Sequence, residues 1–149
     1  LHLATQAGYT TIVELLLARG ANIEARNSRE YTPLHIASKN GLTDVVELLL
    51  TRGADIAPKD IENCTPLHFV AVKGHTAGVE LLLARGADIA SKAIEGCTPL
   101  FFASCDGRTT TVELLIARGA NIDIRNNRKF TPLHIASVKG HTAVVELLL

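Results

Sequence analysis

Histidines and cysteines are the residues of this sequence best suited to bind a metal or undergo redox chemistry. Four of the six histidines, His2, His35, His68 and His134, recur at one position of a regular frame, and Phe101 stands where a fifth would fall. Such a row could suggest a ladder of metal ligands. Equivalent atoms in neighbouring units of a packed helical stack are ~10 Å apart, whereas zinc needs all its ligands within ~2.0–2.3 Å of one point, so the row reads as part of a scaffold. His75 and His141 each follow a glycine in a Gly-His-Thr sequence, where polar bonding across a loop is expected. Cys64 and Cys97 share a second frame position. At ~10 Å they lie beyond the ~7 Å Cα limit of a disulfide. Cys105 could approach Cys97, but no CxxC spacing accompanies the three thiols.

Arg19, Arg52, Arg85 and Arg118 form another row, each just before a glycine, where a cation complements a helix C-terminus. A phosphate-binding ladder is disfavoured by a parallel row of acids, Glu14, Glu47, Glu80, Glu113 and Glu146. No glycine-rich phosphate loop, HExxH or GxSxG is present. Near-identical units leave little room for an asymmetric catalytic cluster, so no enzyme, cofactor or metal site is expected.

The elements that position these rows follow from the period. Thr32, Thr65, Thr98 and Thr131 each open a Thr-Pro-Leu triplet, spaced by 33 residues, and Gly8, Gly41, Gly74, Gly107 and Gly140 keep the same step. The 149 residues divide into repeats 1–26, 27–59, 60–92, 93–125 and 126–149, the first and last partial. Thr-Pro starts a first helix, with threonine capping free N–H groups, and Gly41 ends it with positive φ. A second threonine (Thr10, Thr43, Thr76, Thr109, Thr142) is expected to begin the second helix. Helices this short are unstable alone and must stack into a solenoid. Leu34, Ile36 and Ala37 would face the core from one helix, and Val46, Leu48 and Leu49 from the other.

Composition agrees. Apolar residues make up 47% with no Trp or Met, and 15 basic residues balance 15 acidic ones. A neutral chain has no general attraction for nucleic acid or anionic lipid, and no apolar run suits a membrane span. The odd number of cysteines favours an intracellular, cytoplasmic setting.

The segments TPLHIASKNGLTDVVELLLTRGADI and TPLHIASVKGHTAVVELLL resemble ankyrin repeats, and the resemblance covers the chain. It implies an all-α solenoid of helix-turn-helix units joined by short hairpins, 1–149 forming one domain, with first helices lining a concave face. It also implies a non-catalytic role in binding another protein, and a histidine that bonds the box threonine and ties adjacent units. The family's glycine two positions before the box survives only as Gly96; Glu30, Asn63 and Lys129 replace it, and since asparagine tolerates positive φ, the hairpins of Glu30 and Lys129 are the two expected to be strained or differently turned. Polar caps are absent from both ends, which leaves end-to-end self-association, or a spacer role in a longer array, as the alternative reading.

Partner-reading positions are expected where the repeats differ. The hairpin tips offer Arg29 and Tyr31, then Ile61, Glu62 and Cys64, then Ile94, Glu95 and Cys97, then Arg128 and Phe130. The exposed row of the first helices contributes Val72, Cys105 and Val138, with Asp106 beside it. These fourteen residues form the expected binding face. Phe101 removes a bond from Thr98 and is expected to pack against Phe69 or Phe102 instead, which makes the fourth repeat the softest joint.

Overall fold

The computed structural model describes residues 1–149. Each repeat contributes two short antiparallel helices. The first helices are α1 (His2–Gln6), α3 (Pro33–Lys39), α5 (Pro66–Lys73), α7 (Pro99–Cys105) and α9 (Pro132–Lys139). The second helices are α2 (Thr10–Ala18), α4 (Thr43–Thr51), α6 (Thr76–Ala84), α8 (Thr109–Ala117) and α10 (Thr142–Leu148). No strand forms: each hairpin is closed by two backbone bonds, such as Asn27 N–H to the Tyr31 carbonyl at 3.2 Å and Glu30 N–H to the Asn27 carbonyl at 2.9 Å, and the fourth carries a 3-10 turn over Ile94–Gly96.

The first helices begin as their sequence requires. Proline occupies the first turn of α3, α5, α7 and α9, and the hydroxyls of Thr32, Thr98 and Thr131 accept from the backbone N–H three residues on. The second helices start at the expected threonines, but these hydroxyls cap nothing, and the preceding residue is the N-cap. First helices pack on first helices and second on second, with closer packing in the first layer.

One continuous core runs between the layers. Leu34, Leu67 and Leu100 enter it from the first helices, and Val46, Val79, Val112, Leu49, Leu82 and Leu115 from the second, all essentially buried. Each such side chain stabilises the fold by roughly 1.5–3 kcal/mol. Leu48 is only half-buried, and Val45 takes the place expected for it. Ile36 is buried outside the main core, toward the hairpins.

Three polar ladders bind the repeats to one another. The first runs through the histidine row. His35 Nδ1 accepts from Thr32 N–H at 3.1 Å, while Nε2 reaches the Cys64 carbonyl of the next repeat at 3.1 Å. His68 repeats this with Thr65 and Cys97, and His2 Nε2 reaches Tyr31. Because Nδ1 accepts a backbone proton, Nε2 carries the ring hydrogen and donates to the carbonyl.

The second ladder reaches backwards. His75 Nε2 bonds the Lys39 carbonyl at 3.2 Å, Arg108 Nε donates to Val72 at 2.9 Å, and His141 Nε2 bonds Cys105 at 2.9 Å. Each satisfies a carbonyl in the last turn of the preceding first helix. A β-carbon on Gly41 would stand 2.7 Å from the His75 ring, so glycine there is what lets the imidazole pass.

The third ladder joins second helices. Arg52 pairs with Glu14 at 2.6 Å, Arg118 with Glu80 at 3.2 Å, and Arg85 with Glu47. Three arginines of the row therefore staple the second, third and fourth repeats each to the one before it, as well as complementing their own helix ends.

Candidate functional site

The hairpin tips are built on a side-chain frame that was not read from the sequence. Asn27 Oδ1 accepts from the N–H groups of Arg29 (2.9 Å) and Tyr31 (3.1 Å). Asp60 does the same for Glu62 and Cys64, and Asn126 for Arg128 and Phe130. The recurring Asn/Asp five residues before each box threonine was the available signal, since such residues close turns on their own backbone. In the fourth repeat the position is Ala93.

Glu30, Asn63 and Lys129 hold φ of 61°, 58° and 68° at the tips. Gly96 does so as well, and in that hairpin Glu95 also has φ of 60°. Asparagine tolerates this region, whereas Glu and Lys hold it at an energetic cost.

Neighbouring tips are zipped unevenly. Ile94 N–H donates to the Glu62 carbonyl at 2.7 Å, and Asn127 N–H to the Glu95 carbonyl at 2.8 Å. Arg128 adds a two-pronged pair with the Glu95 carboxylate, at 2.7 and 3.1 Å. Between the tips of the second and third repeats there is no backbone bond of this kind; Arg26 instead donates to the Lys59 carbonyl at 2.7 Å.

The expected face is only partly available to a partner. Ile61 (63% exposed), Ile94 (53%), Phe130 (44%) and Val138 (76%) present apolar surface to solvent. Arg29, Glu62, Asp106 and Arg128 are exposed, and Val72, Glu95 and Cys105 half-buried. Cys64 and Cys97 are corrected: both are buried, because their position lies beneath the tip, where their carbonyls receive the histidine ladder. Burial pushes the Cys64 thiol up to about 12 and raises Cys97 and Cys105 as well, so none is an activated thiolate. All three are free cysteines.

Tyr31 has a divided role. Its half-buried ring stacks on His35 at 5.7 Å, meets Phe69 edge-on at 5.2 Å, and lies under the Lys39 ammonium at 5.5 Å. It belongs as much to the scaffold as to the surface.

Phe101 overturns the expected packing. Phe69 pairs with Tyr31 and His35, and Phe102 with His68; neither pairs with Phe101. The residue occupies a ladder position, so its ring is aimed at the following repeat. There it lines a mostly apolar cavity of about 310 Å³ with Cys97, Phe130 and Ile135, rimmed by Glu95, Asn126 and Arg128. A second cavity, of about 260 Å³, opens at the other end of the face between Gln6, Arg29, Tyr31, Ile36, Lys39 and Asn40.

With this geometry in view, the family match is decisive: the family described as ankyrin repeats (3 copies) matches residues 1–93 and 90–149. The chain belongs to the ankyrin-repeat family. Ankyrin repeats generally serve as protein–protein interaction modules and are typically non-catalytic. Comparison with curated proteins finds no match for this ankyrin-repeat chain. None of its helices is long and apolar enough to cross a membrane.

Proposed function

We propose that this ankyrin-repeat chain is a non-catalytic binding module that holds a partner protein against its hairpin tips and the concave side of its first helices. The observation that carries this reading is where apolar surface is left open. The three ladders tie the repeats to one another, yet Ile61, Ile94, Phe130 and Val138 remain exposed on the tip and first-helix side. Arginine and aromatic residues, favoured anchors of protein interfaces, flank them as Arg29, Arg128 and Phe130. The rigid stack would lose little ordering entropy on docking.

Affinity capture followed by mass spectrometry tests this, using the wild-type chain beside Arg29→Ala/Phe130→Ala and a control, Glu113→Ala, on the outer face of α8. Specific partners are expected with wild type and control and are lost with the double variant. Retention of the same partners by all three would place binding elsewhere and sink the reading. Arg29 and Phe130 are preferable to Tyr31, whose ring supports His35 and Phe69.

A further inference from the structure

The two cavities on this face differ in chemistry. The one between the first and second repeats is cationic: Arg29 and Lys39 line it with Gln6, Asn27, Ser28 and Asn40, and no acid does. Neither cation has a carboxylate partner within salt-bridge distance. Glu30, the acid adjacent in sequence to Arg29, is turned to Arg26 at 3.4 Å. The cavity between the fourth and fifth repeats is the reverse. Its walls are Phe101, Phe130, Ile135 and Cys97, and its rim charges, Glu95 and Arg128, neutralise each other. Val138, one helical turn beyond Ile135, continues the apolar surface outward, and Val72 and Cys105 lie on the row between the two cavities.

From this polarity we infer that the partner is engaged as an extended peptide segment with an Asp or Glu in the Arg29–Lys39 cavity and a bulky apolar side chain in the Phe101–Phe130 cavity. The inference rests on the binding-module reading and specifies its ligand. The guanidinium of Arg29 suits a carboxylate in a forked geometry. The apolar cavity exists because Phe101 replaces a ladder histidine, leaving a wall with no polar group from that side chain. The cavities are three repeats apart, on the order of 30 Å at ~10 Å per step. An extended chain covers that distance in roughly eight to nine residues, which fixes the spacing of the two anchors.

The test is selection of random 16-residue peptides displayed on phage against the 149-residue chain. Synthetic copies of the winners are then titrated by fluorescence anisotropy. Enriched sequences should carry Asp or Glu about eight to nine positions from Leu, Ile, Phe or Trp. Arg29→Ala should weaken their binding about tenfold and Arg29→Glu/Lys39→Glu further, with the wild-type affinity falling steeply as salt rises. Phe101→His, which restores the ladder residue and keeps the fold, should weaken binding by a similar factor. Enrichment of no sequence, or of sequences lacking the spaced pair, overturns the inference; so does affinity indifferent to both cation and Phe101 changes. Peptides that lack the pair but lose binding in Arg29→Ala/Phe130→Ala leave the binding-module reading standing. Peptides that bind equally well to that double variant count against both.

Discussion

A β-carbon added to Gly78 in α6 would lie 2.8 Å from Cγ1 of Val70 in α5. The two residues exchange sizes relative to the rest of the stack. Where the third repeat has Val70, the others have Ala4, Ala37, Ala103 and Ala136; where it has Gly78, they have Ile12, Val45, Thr111 and Val144. A small residue on one helix faces a larger one on its partner throughout, and in the third repeat the order is reversed. Close packing permits either order but not two large groups.

Gly78→Val alone should therefore destabilise the domain by about 1–3 kcal/mol through overpacking, despite replacing a helix-interior glycine. Val70→Ala alone should cost about 1–2 kcal/mol for the lost methyl groups and the void. The double variant should return close to wild type, with a coupling of about 2 kcal/mol or more in urea unfolding. Additive losses would show that the pair does not share one packing site.

The contrast between what sequence showed and what it concealed has a physical basis. The stack, its register and the ladder histidines were legible because each repeats at a fixed step and each has one stereochemical use. Cys64 and Cys97 were misjudged because tip residues vary, and variation was equated with exposure; the carbonyls at that position take the His35 and His68 bonds, which draws the residue inward. The Phe101 cavity was not legible at all. It depends on where a ladder side chain points, and that direction appears only once His35 and His68 are seen reaching forward to the next repeat.

Repair of the fourth repeat should be measurable. Phe101→His would regain bonds to Thr98 and to the Phe130 carbonyl, the pattern of His35 and His68. Ala93→Asn would regain the tip bonds that Asn126 makes, at a site buried as deeply as Asp60 and Asn126. Each should raise unfolding stability by about 1 kcal/mol, and the two together by about 2 kcal/mol. A clear loss in Phe101→His would show that its ring contributes more by packing than the ladder bonds supply.

The histidine ladder makes stability depend on pH. Burial lowers His68 from 6.5 to about 4 and also lowers His35. The unfolded chain takes up a proton near pH 6.5 that folded His68 refuses until about pH 4, because burial denies the charged imidazolium its water. The associated stability is fully present above pH 6.5 and is lost as pH falls toward 4. Between pH 7.5 and 5, His68 alone should remove about 2 kcal/mol. Urea midpoints across that range check this, and His68→Ala, weaker at pH 7.5, should show a flatter profile.

The arginine–glutamate staples should matter less than their regularity suggests. Arg85 and Glu47 have side chains 36% and 50% exposed, so solvent screens their attraction and each long side chain loses freedom in pairing. A double-mutant cycle with Arg85→Ala and Glu47→Ala should give a coupling of about 0.2–1 kcal/mol, shrinking as salt is raised toward 1 M. Arg85→Ala should still cost somewhat more than the coupling, because the same guanidinium complements the C-terminus of α6. A salt-independent coupling well above 1 kcal/mol would mean that the row acts as a cooperative network binding repeat to repeat, with the outer layer rather than the histidine ladder dominating cohesion between units.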